Sequence, residues 1–461
     1  MSEPQQVDVV VVGLGVAGEE VAGRLSQAGL DVVGVERRLV GGECPYWGCV
    51  PSKMMIRAAN ALAEGRRIDG LAGTADVHPD WTPVARRIRD EATADWSDTA
   101  AVDRLTNKGV RVLHGTARLT GPGRVDVDGQ EFTARRGVVL ATGTVPVVPP
   151  IDGLAGTPYW TNKEAIEVTD LPESLVVLGG GAIGLELAQV FARFGVRVTI
   201  VEPSERLLSR EEPESSALAA RALGDDGVRI RLGSRAEWVE HRDDTFAVHL
   251  SQGGPESGQR LLVATGRRSD LGGLGIDAVG LDPAARHLPV DERMRVTDER
   301  MPVADGLWAV GDVAGHGAFT HLAMYQADVA VRDILDQGGP AAEYRAVPRV
   351  TFTDPEIGAV GLTERQAREQ GVNVAVAVTE VPESSRGWIH GPGNDGFIKL
   401  VADADRGVLV GATSAGPTGG EVLGALAVAV HGEVPLTSLR HMIYAYPTVH
   451  RAIQSAVQQL T

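Results

Sequence analysis

The sequence predicts an α/β fold in which one strand–turn–helix–strand unit occurs twice and a separate α/β domain follows. The first copy occupies residues 7–36 and the second residues 175–202, and each places three spaced glycines between an apolar strand and a helix. From about Val347 the pattern changes to shorter strands, helices and a small-residue helix near 421–430. The 57 glycines indicate many tight turns or close approaches of backbone to ligand.

In the first copy, a valine-rich strand ends at Val12, and the glycines Gly13, Gly15 and Gly18 follow it. The first glycine permits a tight turn, the second lets backbone N–H groups approach a pyrophosphate, and the third lets helix and strand pack closely. The phosphate lies at the helix N-terminus, where unpaired N–H groups favour negative charge. The next strand ends at Glu36, which can accept hydrogen bonds from a ribose.

The second copy repeats this pattern with Gly179, Gly181 and Gly184, and its acid is Glu202. In both copies the acid lies 23 residues after the first glycine. One glycine triplet is a weak signal, but two triplets with the same surroundings predict two dinucleotide-binding units.

Composition and charge exclude several classes of partner. The net charge is −17, and a surface this acidic repels nucleic acid and anionic lipid. No apolar run approaches the roughly 20 residues that cross a bilayer, and Met1–Gln6 is polar, unlike a signal peptide. We therefore expect a cytoplasmic protein with no nucleic-acid partner, no membrane partner and no metal site.

The two cysteines of the chain, Cys44 and Cys49, lie directly after the first unit. In a cytoplasmic protein such a pair is more often catalytic than structural. Pro51 suits a first helical turn, which puts Cys49 at a helix N-terminus, where the dipole favours thiolate. We expect Cys44 to lie further out, where it can attack a substrate or close a disulfide. The competing interpretation is a pair of buried, inert cysteines.

Over essentially its whole length the chain resembles the pyridine nucleotide–disulfide oxidoreductases, the family that includes dihydrolipoamide dehydrogenase, glutathione reductase and mercuric reductase. The cysteine segment has that family's spacing, although Glu43, Pro45, Tyr46 and Trp47 are not its commonest residues. The segments that also carry the resemblance are Gly306–Asp312, Thr320–Gln326 and Phe352–Glu364.

The resemblance implies two Rossmann-like dinucleotide-binding domains and a C-terminal α/β dimerisation domain. The implied FAD-binding domain is discontinuous, over 1–150 and 278–345; the NAD(P)H-binding domain covers 151–277 and the dimer-interface domain 346–461. Relatives are homodimers in which each active site borrows residues from the partner's C-terminal domain, so a homodimer acting on a small-molecule substrate is expected.

Cofactor-binding residues are also implied by the resemblance. Glu36 would bind the adenosine ribose of FAD, and Asp312 its ribityl chain. The other residues expected at FAD are Gly13, Gly15, Val16, Ala17, Gly18, Gly42, Lys53, Thr142, Gly143, Gly311 and Ala323. Those expected at the nicotinamide cofactor are Gly179, Gly181, Ile183, Gly184, Glu202 and Gly266. Glu202 favours NADH because an acid repels the 2′-phosphate of NADPH, but the nearby Arg206 keeps NADPH possible.

The same resemblance implies catalytic roles. Cys49 would be the thiolate that faces the flavin and Cys44 the thiol that exchanges with substrate. Lys53 and Glu186 would pair near the reactive nitrogen of the flavin, although each alone would otherwise be read as a surface charge.

The C-terminal segment departs from the family. Relatives carry a His-Pro-Thr sequence in which the histidine is the acid/base of thiol–disulfide exchange, with an orienting glutamate five positions later. Here Tyr446 takes the histidine position and Arg451 the glutamate position. With a pKa of about 10, tyrosine is a poor base, and losing a positioned base commonly costs about 10²–10⁴ in rate.

Three explanations for this departure stay open. Tyr446 can act as a proton donor or orienting group for another acceptor. His450 can substitute as base, although it lies about 100° from the expected direction on a helix and is more simply an ordinary helix residue. The site can also exclude protons, as in a carboxylase of this family that lacks the histidine. There, Arg451 can hold an anionic substrate or stabilise a thiolate.

The leading interpretation is an FAD-dependent oxidoreductase that passes electrons from NADH through FAD to a Cys44–Cys49 disulfide and on to a small disulfide or another electrophile. The alternatives are a quinone reductase that acts directly from the flavin, a carboxylase-like reaction, and a redox sensor.

Overall fold

The computed structural model of the chain describes residues 3–298, 301–302 and 305–460. Its backbone forms two compact units, each assembled from three stretches of chain. The first contains residues 1–51, 86–147 and 267–344, and the second contains residues 52–85, 148–266 and 345–461. The three-domain boundaries drawn from the sequence remain a prediction.

Helices alternate with single strands in parts of the chain, such as 162–225, and elsewhere several strands or several helices follow one another. The helices are α1 (Val16–Gln27), α2 (Glu43–Trp47), α3 (Cys49–Arg66), α4 (Thr82–Arg87), α5 (Thr99–Asn107), α6 (Asn162–Glu167), α7 (Ala182–Arg193), α8 (Pro213–Asp225), α9 (Thr320–Ile334), α10 (Glu364–Glu369), α11 (Ser385–His390), α12 (Gly419–His431), α13 (Leu436–His441) and α14 (His450–Gln459).

The strands are β1 (Gln5–Val12), β2 (Val32–Glu36), β3 (Arg111–His114), β4 (Ala117–Gly121), β5 (Arg124–Val127), β6 (Gln130–Leu140), β7 (Val145–Pro146), β8 (Ser174–Leu178), β9 (Arg197–Val201), β10 (Arg229–Arg231), β11 (Ala236–Arg242), β12 (Thr245–Leu250), β13 (Glu256–Gly258), β14 (Arg260–Val263), β15 (Arg267–Arg268), β16 (Thr297–Asp298), β17 (Met301–Pro302), β18 (Leu307–Ala309), β19 (Pro348–Thr351), β20 (Glu356–Gly361), β21 (Val374–Glu380), β22 (Phe397–Asp403) and β23 (Val408–Gly416).

The first unit is built on a mixed sheet of order β3-β2-β1-β6-β5-β4, with β18 also paired to β6. The pairs β1·β2, β1·β6, β2·β3 and β6·β18 are parallel, while β4·β5 and β5·β6 are antiparallel. Val9, Val10 and Val11 of β1 are fully buried. The side chains of neighbouring positions point to opposite faces, so this central strand is covered on both faces, as its continuous valine run predicts.

The second unit contains three sheets. A parallel sheet of order β10-β9-β8-β14 carries the second glycine loop, and an antiparallel sheet β11-β12-β13 accompanies it. An antiparallel sheet of order β19-β20-β23-β22-β21 forms the C-terminal part. Helices α12 and α14 bury apolar side chains, among them Leu423, Leu426, Ile453 and Val457, in one hydrophobic cluster with this sheet.

The α/β fold predicted from the sequence is confirmed, and element ends differ mostly by one or two residues. Strand β6 runs over Gln130–Leu140, although only its end at 138–140 has the continuous apolar pattern of a buried strand. Its first half carries Arg135 and Arg136, both exposed, which hide the strand pattern. This half exists because it pairs with β5, a contact that local sequence does not reveal.

Candidate active site

The first glycine loop joins β1 to α1, and each glycine has a separate steric role. Gly13 has a φ of +90°, and a Cβ there would lie 2.5 Å from the carbonyl oxygen of Ala141. A Cβ at Gly18 would lie 1.9 Å from the carbonyl oxygen of Gly13. Gly15, the N-cap of α1, has only the Cα of Gly42 nearby, at 3.8 Å. Gly13 and Gly18 therefore allow the close packing of backbone in this loop, and Gly15 leaves the N-terminus of α1 open to a ligand.

The second loop, between β8 and α7, repeats these roles. Gly179 has a φ of +113°, and its Cβ would lie 2.4 Å from the carbonyl oxygen of Ala264. A Cβ at Gly184 would lie 2.3 Å from the carbonyl oxygen of Gly179. A Cβ at Gly181 would meet no atom of the described residues within 4 Å, and the side chain of Ile183 beside it is partly exposed. Both loops thus keep an open approach to backbone N–H groups.

The two acids are held in the same way. Glu36 accepts hydrogen bonds from the backbone N–H of Leu14, at 2.8 Å, and of Arg38, at 2.8 Å. Glu202 accepts them from the backbone N–H of Gly180, at 2.6 Å, and of Ser204, at 2.8 Å. Each carboxylate therefore connects its glycine loop to the turn after its own strand, which fixes its position for a ribose.

The surroundings of the first loop fit a bound dinucleotide. The hydroxyl of Thr142 is buried and has no hydrogen-bond partner among the described residues. Gly143 has open space where a side chain would be, and so has Gly266 in the second unit. A Cβ at Gly311 would lie 3.6 Å from the Cβ of Ala17 and 3.7 Å from that of Ala323. Gly311, Ala17 and Ala323 are thus brought together, with Val16 at the first position of α1.

Asp312 lies at the centre of a polar network in the first unit. Its carboxylate accepts a hydrogen bond from the hydroxyl of Thr144, at 2.7 Å, and that hydroxyl accepts one from Arg267 Nε, at 2.8 Å. Burial raises the pKa of Asp312, while the Thr144 hydrogen bond and the Arg267 charge oppose that rise. Sequence reasoning missed Thr144 and Arg267, because only the fold brings them to Asp312.

The dithiol segment packs against the first glycine loop. The backbone N–H of Gly41 donates to the carbonyl oxygen of Leu14 at 2.7 Å, and a Cβ at Gly42 would lie 2.8 Å from the Cα of Gly15. The hydroxyl of the buried Tyr46 donates to the carbonyl oxygen of Val40 at 3.1 Å. This segment, residues 40–49, is called the redox turn below.

Cys44 lies in α2, and Cys49 is the first residue of α3. In the chain alone Cys49 is exposed and Cys44 half-buried, so the expectation that Cys44 lies further out is wrong for the chain by itself. Cys44 lies inside α2, whereas Cys49 begins a new helix. The Thr320 hydroxyl, at the start of α9, lies 3.3 Å from Cys49 Sγ. The pKa of Cys44 is raised well above its ordinary value, first by its hydrogen bond to Cys49 and then by burial.

Lys53 and Glu186 form the ion pair expected from the sequence. Lys53 Nζ donates to Glu186 Oε2 at 2.7 Å, and the Glu186 side chain is nearly buried. The other carboxylate oxygen accepts the backbone N–H of Phe352 at 2.8 Å, and the Phe352 ring centroid lies 4.5 Å from Lys53 Nζ. Phe352 is a further contributor that no sequence signal identified as a partner of this pair.

At the C-terminal end, Tyr446 is 70% exposed, and the guanidinium carbon of Arg451 lies 6.0 Å from its ring centroid. His450 begins α14 and is half-buried. A cavity of about 340 Å³ lies beside this segment, lined by Arg386, Thr418, Glu421, Val422, Pro447, Thr448, Val449 and His450. Tyr446 and Arg451 are therefore neighbours, and His450 contributes to the lining of the cavity beside them.

No helix in residues 3–298, 301–302 and 305–460 combines the length and apolar character needed to cross a membrane. Within the same ranges, no group of three or more His, Cys, Asp and Glu side chains is arranged to hold a metal ion.

Two dinucleotide loops with a dithiol packed against the first define the class of flavin- and nicotinamide-dependent oxidoreductases. Residues 7–331 match the family described as pyridine nucleotide-disulphide oxidoreductase, and residues 347–457 match its dimerisation domain. The chain is 33% identical to a dihydrolipoyl dehydrogenase of Halobacterium salinarum, over 98% of this chain and 95% of the relative. It is also 33% identical to a mercuric reductase of Streptomyces lividans, over 98% of this chain and 96% of the relative.

The chain is also similar in fold to solved structures, over nearly its whole length. The flavoprotein disulfide reductase RclA of Escherichia coli, described as HOCl-induced, matches with a TM-score of 0.84 and 27% identity over 98% of this chain and 99% of that chain. LpdA of Mycobacterium tuberculosis matches with a TM-score of 0.85 and 26% identity over 98% of this chain and 99% of that chain.

This chain belongs to the pyridine nucleotide-disulphide oxidoreductase family. It is an FAD-dependent, NAD(P)H-driven oxidoreductase of the disulfide class, as expected from the sequence. The dimerisation domain supports a homodimer.

The raised pKa of Cys44 predicts how its reactivity depends on pH. A thiol with a raised pKa stays protonated at neutral pH, so alkylation of Cys44 in the reduced protein should rise about tenfold per pH unit from pH 7 to 9, without a plateau. Thr320→Val should slow this reaction at each pH, because the Thr320 hydrogen bond lowers the Cys44 pKa, and Thr320→Ser should not. Iodoacetamide labelling with peptide fragmentation measures both rates; a plateau below pH 8 would contradict the prediction.

Proposed function

We propose that this chain is an NADH-dependent flavoprotein disulfide reductase whose redox-active centre is Cys44 and Cys49 and whose substrate is a small disulfide or another electrophile. The observation that carries the proposal is the pair of hydrogen-bonded thiols on a turn packed against the first glycine loop. FAD would supply the two-electron chemistry that couples oxidation of NADH to reduction of the cysteine pair.

The residues that would hold FAD are those of the first loop and its neighbours. Glu36 would accept hydrogen bonds from the adenosine ribose of FAD, and Asp312 would accept them from its ribityl chain. The Thr142 hydroxyl, which has no partner among the described residues, is available to hydrogen-bond FAD. The others are Gly13, Gly15, Val16, Ala17, Gly18, Gly42, Lys53, Gly143, Gly311 and Ala323. The nicotinamide cofactor would lie at Gly179, Gly181, Ile183, Gly184, Glu202 and Gly266, and the cytoplasm stays the predicted compartment.

The preference for NADH over NADPH rests on Glu202 and is strengthened by the position of Arg206. The carboxylate of Glu202 is fixed by two backbone N–H groups and repels a 2′-phosphate. The Arg206 guanidinium donates to Ser216 Oγ and to the backbone carbonyl oxygens of Leu208, Ser209 and Glu211. Because these hydrogen bonds occupy the terminal N–H groups of its guanidinium, Arg206 is a poor candidate for binding the 2′-phosphate of NADPH.

Glu202→Gln should lower the ratio of kcat/KM for NADH to that for NADPH by about tenfold, because it removes the repulsive charge and keeps an oxygen that accepts a backbone N–H. Steady-state kinetics with both cofactors measures the ratio. Glu205→Gln, at an exposed neighbouring acid, is the matched control and should leave it unchanged. An unchanged ratio in Glu202→Gln would refute the assignment.

The reaction at sulfur needs only the two cysteines and proton transfer. Cys44, once deprotonated, would attack one sulfur of the substrate disulfide, which forms a mixed disulfide and releases one thiol. Cys49 would then attack Cys44, which releases the second thiol and closes the Cys44–Cys49 bond. The two protons carried by the dithiol leave with the two product thiols, so atoms and electrons balance. The Lys53–Glu186 pair would hold a fixed charge at the flavin.

Tyr446 would serve as a proton donor to the leaving thiolate, in a site completed across a homodimer. A tyrosine hydroxyl can donate a hydrogen bond to a leaving sulfur but is a poor general base for the Cys44 proton. The exposure of Tyr446 and the neighbouring guanidinium of Arg451 support a role toward an incoming acceptor.

Tyr446→His should raise turnover of lipoamide or oxidised glutathione by about tenfold or more, because it restores a base at the position where its loss commonly costs about 10²–10⁴. Tyr446→Phe removes the hydroxyl without adding a base and serves as the control. A panel of acceptors with NADH measures both. If the histidine variant gains nothing, the missing base does not set the specificity.

Cys44→Ser separates the proposed function from its rivals. It should reduce disulfide turnover by about 10²-fold or more, since the serine hydroxyl is not a competent exchange nucleophile, and it should leave quinone reduction intact. If the native protein reduces quinones efficiently and disulfides hardly at all, the quinone reductase is favoured. If it turns over no acceptor but binds a partner only when oxidised, the redox sensor is favoured.

A further inference from the structure

Glu43, the residue before Cys44, forms an ion pair that the family resemblance did not suggest. Arg267 Nη2 donates to Glu43 Oε2 at 2.7 Å, and the side chains of Arg267 and Glu43 are only 18% and 26% exposed. Glu43 begins the short helix α2, so its carboxylate is attached to the same turn as the Cys44 thiol. Partial burial shields this pair from solvent, which makes its charges more effective than those of a surface pair.

The pair is the end of a longer array in the first unit. Arg267 also donates to the hydroxyl and to the carbonyl oxygen of Thr144, both at 2.8 Å, and Thr144 donates to Asp312. The backbone of Arg267 pairs with Pro146 in the two-stranded sheet β7·β15, which holds the arginine in place. One guanidinium therefore stands between two carboxylates, on Glu43 and Asp312, and balances them.

We propose that the Glu43–Arg267 pair sets the thiol–disulfide equilibrium of Cys44 and Cys49, with Glu43 and Arg267 acting as positioning residues of opposite electrostatic effect. The inference rests on the proposed function, in which this cysteine pair is the redox centre. On this proposal, Glu43, which is not the commonest residue of the family at this position, determines how readily the Cys44–Cys49 disulfide accepts electrons.

The two charges act in opposite directions on a reduced pair that carries a thiolate. Removing the Glu43 charge leaves Arg267 less compensated, which stabilises the thiolate and so the reduced form. Removing the Arg267 charge leaves the Glu43 and Asp312 carboxylates uncompensated, which favours the neutral disulfide. A merely structural pair would give the same change for both variants, because either substitution breaks the same contact.

The test measures the ratio of dithiol to disulfide in FAD-loaded protein equilibrated anaerobically with reduced and oxidised dithiothreitol, by alkylation and mass spectrometry at pH 8. Protein disulfide plus reduced dithiothreitol gives protein dithiol plus oxidised dithiothreitol, so the exchange is balanced. Glu43→Gln should raise the ratio and Arg267→Met should lower it, each by about threefold to tenfold, and tenfold is about 30 mV for two electrons.

The double variant should return toward the native ratio, and Arg267→Lys, which keeps the charge, should change it less than Arg267→Met. At pH 5.5 the differences should shrink, because protonation of a thiolate removes the charge on which the two side chains act. Asp270→Asn is the matched control, because Asp270 forms an exposed ion pair with Arg37 in the same unit. Thermal unfolding identifies any variant that fails to fold; if Arg267→Met is one, the sign of the shift in Glu43→Gln decides, and Arg267→Lys should stay near the native ratio.

Equal ratios in native protein, Glu43→Gln and Arg267→Met, or shifts of the same sign, would overturn the inference while leaving the proposed function standing. Failure of the proposed function looks different: Cys44 and Cys49 of the native protein would then form no reversible disulfide at any dithiothreitol ratio.

Discussion

The close contact between two backbones, at Gly15 and Gly42, is the constraint on which the geometry of the site depends. It joins the N-terminus of α1 to the redox turn, and a Cβ at Gly42 would lie 2.8 Å from the Cα of Gly15. The turn and the glycine loop thus share one surface, so a cofactor held by the loop would lie next to the residues that precede Cys44. A side chain at this contact would separate the two, and the dithiol would lose its relation to the dinucleotide-binding loop.

The duplication of the dinucleotide unit explains why two cofactors can be bound by closely related means. Glu36 and Glu202 each accept two backbone N–H groups, one from the glycine loop and one from the turn after their own strand. What differs is the surroundings. The first loop packs against the redox turn, and the second belongs to the unit that contains the Lys53–Glu186–Phe352 cluster.

Local patterns predicted much of the fold and part of the site. The glycine spacing, the two acids and the ends of the central strands depend on short stretches of sequence, and their geometry agrees with those expectations. Four site contacts were not predicted, because each joins residues that are far apart in the sequence and that only the fold brings together. They are Thr320 with Cys49, Thr144 with Asp312, Arg267 with Glu43, and Phe352 with Glu186. The exposure of the two cysteines was predicted in the wrong order, because tertiary packing and not local sequence decides how deeply each thiol is buried.

We propose that electrons from NADH reach the Cys44–Cys49 pair. Counting the thiols that appear during reduction measures this transfer. Oxidised, FAD-loaded protein would be titrated with NADH without oxygen and alkylated at each step. We expect two new thiols per chain, at Cys44 and Cys49, after one equivalent of NADH, while the flavin stays oxidised. Bleaching of the flavin with no gain in thiols would contradict it.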